Sequence, residues 1–157
     1  MPRETIDSDT FPGFFPKLKE LAAWLSETKE FEEEQPNLSR CVDENRHGKI
    51  RPVLRELGYD QIKGRGYKIW RITGKVSIKN TLDYNTLFFP LSIGSGPESI
   101  ASGEIQIAGE TLTPGCYIPI TRTLTVDGQL DCLIVLLPNQ DGSPTTGNGD
   151  DHCYEIF

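Results

Sequence analysis

No stretch of this chain stays apolar for the roughly 18–20 residues that a membrane-spanning helix needs, so no bilayer span is expected. The opening residues, MPRETIDSDTFPGFF, lack a basic segment followed by an apolar one. No secretory signal is read there, and the chain is expected in the cytoplasm. Cysteine is sparse: Cys41, Cys116, Cys132 and Cys153 are separated by 75, 16 and 21 residues. No CxxC pair occurs, which excludes zinc-ribbon and zinc-finger spacing and leaves buried free thiols as the expectation. Histidine occurs only at His47 and His152, and neither lies in a Cys–His or Ser–His motif. The stretch Gly94-Ser95-Gly96-Pro97-Glu98-Ser99 has glycines but lacks the Lys of a phosphate loop, and Pro97 removes a needed N–H. Asp150-Asp151-His152-Cys153 has metal-ligand residue types but no second cluster in sequence. No catalysis, metal or cofactor is therefore expected.

Positive charge is nearly missing from half the chain, and that absence turns attention to where it collects. Residues 1–45 carry 5 basic and 11 acidic side chains, residues 46–79 carry 10 and 2, and residues 80–157 carry 1 and 10. A formal charge of −7 thus conceals a segment of +8. Such asymmetry points to a polyanionic partner, or to a basic stretch that neutralises its own acidic flanks.

Residues 1–13, with Pro2, Pro12 and Gly13, read as a flexible arm. A helix is expected from Pro16 to about Glu33, because Leu18, Leu21, Ala22 and Leu25 recur at i, i+3, i+4 and i+7. Leu38, Cys41 and Val42 suit a short second helix, capped by Asn37 or Ser39. Ile50, Val53, Leu54 and Leu57 mark a third over 49–57, with Pro52 in its first turn and Gly58 just past its end. Residues 59–72 then read as a hairpin around Lys63-Gly64-Arg65-Gly66. The expected fold class is α+β. A winged helix-turn-helix over 14–79 would be followed by a small, mostly antiparallel β module over 80–138 and a flexible tail over 139–157. Strands are expected at 86–93, 103–108, 116–121, 122–126 and 130–137, with Asp127-Gly128 as a tight hairpin. Leu133 to Leu137 is continuously apolar, as in a central strand buried on both faces.

Ile50-Arg51-Pro52-Val53-Leu54-Arg55-Glu56-Leu57-Gly58-Tyr59, followed by Lys63-Gly64-Arg65-Gly66-Tyr67-Lys68-Ile69-Trp70, resembles the small winged helix at the C-terminus of phage and plasmid primase-helicases. The resemblance covers about 25 residues, or about 60 with the preceding helices. It departs from that pattern at Pro52, and no ATPase or primase motif is present. It implies nucleic-acid binding and no enzymatic activity.

On this reading Arg46, Lys49 and Arg51 lie at the start of a recognition helix, where side chains reach base edges, and Arg55 lies off its apolar stripe. Lys63, Arg65 and Lys68 lie on or beside the wing tip, suited to phosphates or a minor groove. Tyr67 and Trp70 are expected to pack the wing onto the helices. The expected function is sequence-specific binding of double-stranded DNA by a homodimeric transcriptional repressor. The alternative is a structural or assembly β protein whose basic patch docks an acidic partner. A homodimer is expected because a small acidic β module is marginal by itself.

Overall fold

A computed structural model describes residues 3–7, 9–81, 83–94 and 96–138. In chain order the elements are β1 (Glu4–Thr5), α1 (Phe14–Glu27), β2 (Phe31–Gln35), β3 (Leu38–Cys41), α2 (Arg46–Glu56), β4 (Gly66–Ile78), β5 (Tyr84–Ile93), β6 (Ile105–Ile107), β7 (Glu110–Leu112), β8 (Cys116–Ile120) and β9 (Leu124–Pro138). Short 3-10 turns occupy Tyr59–Gln61 and Pro97–Ser99. Seven strands form one antiparallel sheet in the order β1-β8-β5-β9-β4-β3-β2, and β6 and β7 form a separate hairpin.

The winged helix-turn-helix is not formed. Two α-helices are present among the described residues, and the segment expected as the middle helix is a β-hairpin. Gln35 pairs with Leu38, so Pro36-Asn37 is a two-residue turn. Asn37 has φ 71°, the left-handed region that Asn tolerates at the second central position of a type II turn after Pro. Helix α1 stops at Glu27 instead of Glu33, because Thr28 is extended and Phe31 onward pairs with β3. Its expected stripe of Leu18, Leu21, Ala22 and Leu25 is buried. Helix α2 begins at Arg46, so Pro52 sits in its interior and not in its first turn.

No wing follows α2. Residues 59–61 are a 3-10 turn, and the presumed second arm of the hairpin is the start of a 13-residue strand. Strand β4 pairs along its whole length with β9, from Gly66 opposite Leu136 to Ile78 opposite Leu124. Nor does Asp127-Gly128 turn the chain. Both residues lie inside β9, and Gly128 stands opposite Gly74. The sheet therefore runs across the compositional shift at residue 79. Strand β9 is its central member, with Leu133 to Leu136 buried on both faces as the apolar run implied.

Alternate residues separate two cores. Tyr67, Ile69, Phe89, Leu133 and Val135 pack against α1 and α2, whereas Trp70, Ile72, Phe88, Ile134 and Leu136 face the other way. The second face is closed by the curl of the sheet together with Ile107 and Leu112 of the β6–β7 hairpin. Leu124 and Pro138 would lie about 46 Å apart in a straight strand, yet their neighbours Ile78 and Tyr84 are joined by a chain that reaches at most about 22 Å. The β4–β9 ribbon must curl, and Val76, Ile78, Leu124 and Val126 accordingly share a core with Phe88, Ile118 and Ile120. The Gly74–Gly128 pair lies within the curling stretch. Residues 3–7 are pinned to the sheet edge by β1 against β8 and by the buried Ile6. The tail expected over 139–157 and Cys153 lie outside the described residues. Cys41, Cys116 and Cys132 are buried free thiols.

Candidate nucleic-acid interface

Helix α2 is set against α1 by its apolar stripe of Ile50, Val53 and Leu54, all buried. Its start is fixed by Asp43, just upstream. The Asp43 carboxylate accepts the backbone N–H of Asn45 at 2.8 Å and the Thr28 hydroxyl at 2.7 Å, which ties the end of α1 to the start of α2. Those donors, the Asn45 N–H first and the Thr28 hydroxyl next, hold the carboxyl below its ordinary range, and Arg46 adds to the effect. At the far end of α2, the Glu56 carboxylate lies against Gly13, the residue before α1. A negative group there complements the positive end of the α1 dipole.

With the core stripe facing inward, the outward face of α2 is cationic. Arg51 and Arg55, one turn apart, are exposed together, and Lys49 is exposed on the flank. The 3-10 turn at Tyr59–Gln61 packs against α2, and the exposed Lys63 follows it. None of the side chains of Lys49, Arg51, Arg55 and Lys63 makes a hydrogen bond or ion pair among the described residues.

The other three expected site residues are placed differently. Arg46 is half-buried, and its Nη1 donates to the Asp43 carbonyl at 2.8 Å. Arg65 is 4% exposed and donates from Nη1 to the Ile62 carbonyl at 3.0 Å, so it braces the loop instead of standing at a wing tip. Lys68 belongs to the sheet face away from the helices, with its ammonium 5.2 Å from the Trp70 ring centre. Tyr67 is buried against the helices, whereas Trp70 is buried on the opposite face of the sheet, so the two do not pack a wing onto the helices as expected. The Tyr67 hydroxyl shares a hydrogen bond with His47 Nδ1, which anchors the first turn of α2 to the sheet.

A polar constellation that sequence reasoning missed lies on the helix-facing side of the sheet. Arg71 on β4 stands directly opposite Asp131 on β9. Its Nε and Nη2 donate to the two carboxylate oxygens at 2.8 and 3.1 Å. Nη2 also donates to the Leu25 carbonyl at 2.9 Å, and the Phe31 ring lies 4.1 Å from the guanidinium. The hydrogen bonds to Asp131 raise the Arg71 pKa above its already high ordinary value, so the guanidinium stays charged at any working pH. Sixty residues separate the partners, and no local pattern links them. Among the described residues no group of three or more His, Cys, Asp or Glu side chains converges as a metal site, and no helix is long and apolar enough to cross a membrane.

Set against known proteins, the chain matches no family model and has no significant sequence match to a curated protein.

Proposed function

We propose that the protein is a non-enzymatic nucleic-acid-binding protein that holds the phosphate backbone of double-stranded DNA on the outer face of α2 and the loop after it. What supports this reading is the exposure of Lys49, Arg51, Arg55 and Lys63, without acidic partners among the described residues, on a chain whose net charge is −7. Cations left unpaired beside one another are suited to a repeating anion. Phosphate contacts position a protein without reading sequence. Base discrimination, and with it a repressor role, would fall to Arg51 and Lys49 at the groove.

Four phosphate contacts imply a slope of log affinity on log salt of about −3.6, or about a 150-fold loss between 50 and 200 mM salt. Fluorescence anisotropy with a labelled duplex of about 30 base pairs measures this directly. Arg51→Ala with Arg55→Ala should roughly halve the slope, while Arg65→Lys, at a buried site, should leave it unchanged. Absence of binding at 50 mM salt would defeat the proposal. Self-association would add avidity by placing two cationic strips on one duplex. Sedimentation at tens of micromolar tests for the homodimer, and a monomer there removes that avidity.

A further inference from the structure

We propose that the groove beyond the C-terminal end of α1 is a binding site for an uncharged, polyhydroxylated ligand of the class of a short oligosaccharide. The groove has a volume of about 650 Å³. That falls within the range of small-molecule sites, about 300–1,000 Å³. Its floor is made by adjacent cross-strand rows on the helix-facing side of the sheet. One row runs Ser92–Asp131–Arg71 across β5, β9 and β4, and the next pairs Gln129 with Thr73. The end of α1, at Ser26 and Glu27, forms one wall, and the loop through Pro97 and Ile100 forms the other.

Helix α1 ends at Glu27, and the floor of the groove beyond it carries the polar side chains of Arg71, Thr73, Ser92, Gln129 and Asp131. A bulge in β5 puts Ser92 there. The β5–β9 register shifts between Pro90 and Ser92, so Ser92, and not Leu91, stands opposite Asp131. The Ser92 hydroxyl accepts the Ala101 N–H at 3.1 Å, which fixes the base of the loop wall.

Arg71 is the organising group. Asp131, the Leu25 carbonyl and the Phe31 ring hold it from three sides, yet its Nη1 makes no hydrogen bond among the described residues. Arg71 thus lines the groove and keeps two N–H donors, on Nη1, without a partner among the described residues. Asp131 beside it has acceptor capacity left after receiving two N–H bonds. A donor edge next to an acceptor edge matches vicinal hydroxyls, each of which gives and takes a hydrogen bond. Gln129 and Thr73 extend the same dual character along the floor. Charge selects against ions. Arg71 is neutralised by Asp131, and Glu27 on the rim repels anions, while a cation would meet the guanidinium.

The test is a titration of the ¹⁵N-labelled full chain with cellobiose, maltose and N,N′-diacetylchitobiose, each to 20 mM, followed by amide chemical shifts. The expected result is saturable shifts confined to residues 71–73, 92–101 and 129–131 with at least one disaccharide. Gln129→Ala, at an exposed side chain, should weaken that binding at least fivefold while the spectrum elsewhere stays unchanged. Ser99→Trp should abolish binding by filling the groove from the loop. The absence of saturable shifts with all three sugars would overturn the proposal. So would shifts centred elsewhere, an unchanged titration in both variants, or equal binding of the amide probe N-acetyl-leucine amide.

Discussion

Asn37 carries a turn that decides the fold of the first forty residues. Its φ of 71° costs a residue with a Cβ about 1 kcal/mol, which Asn offsets with its short polar side chain. Asn37→Ala should therefore lower stability by about 1 kcal/mol, and Asn37→Gly should leave it nearly unchanged, read as urea midpoints. Asp43 acts at the same scale. Its carboxyl is held low by the Asn45 N–H, then the Thr28 hydroxyl, so the ionised form is the one the fold stabilises. That contribution is complete above the unfolded value of about 3.9 and is lost as pH falls through the lower folded value. Asp43→Asn should weaken stability near neutrality and flatten its decline below about pH 4, measured as urea midpoint against pH.

At the scale of elements, α2 was legible from its stripe at i, i+3, i+4 and i+7, because helical burial repeats locally. Pro52 was legible as a proline but not as an interior one. It withholds the N–H that the Gly48 carbonyl would accept, within a helix running from Arg46 to Glu56. Pro52→Ala should stabilise the protein by about 1–2 kcal/mol, because the helix gains a bond that outweighs the added freedom of the unfolded chain. Thermal denaturation checks this, and a lower melting temperature would show that the proline ring itself packs. The winged-helix reading failed at β3, which it took for a helix, and at the pairing of β4, which it took for a wing. Leu38, Cys41 and Val42 offered too few apolar positions to separate a period of 3.6 from one of 2. The partners that make β3 and β4 strands lie elsewhere, at β4 for one and at β9 for the other.

For the whole molecule, electrostatics sets the balance between binding and repulsion. Pro138 packs beside Gly64, next to Lys63, so the chain leaves the described residues at the cationic strip. Residues 139–157 carry four carboxylates and no Lys or Arg. Ending the chain after Pro138 changes the formal charge from −7 to −3. Duplex binding at 50 mM salt should tighten severalfold, because four charges of the same sign as the phosphates are removed from the chain. Unchanged affinity in anisotropy would place those carboxylates out of range of the strip. The curled sheet gives a second prediction at this scale. Ile134 is 2% exposed, within the core shared by both halves of the β4–β9 ribbon. Ile134→Asp should abolish cooperative unfolding altogether and not merely separate a dimer.

The sequence by itself determined the two helical stripes, the central strand at Leu133 to Leu137, and the concentration of positive charge over residues 46–79. Each of these is a local property, carried by residues close enough in the chain to be read together. Only the tertiary structure decided that β4 pairs with β9 instead of folding back as a wing. It also decided that Arg65 and Lys68 leave the cationic strip, and that Arg71 meets Asp131 at the floor of a groove. Those outcomes depend on which strands lie side by side, and strand pairing is set by burial of both sheet faces across the whole chain. Two glycines fifty-four residues apart, Gly74 and Gly128, face each other across that pairing, and nothing near either one in the chain announces the other.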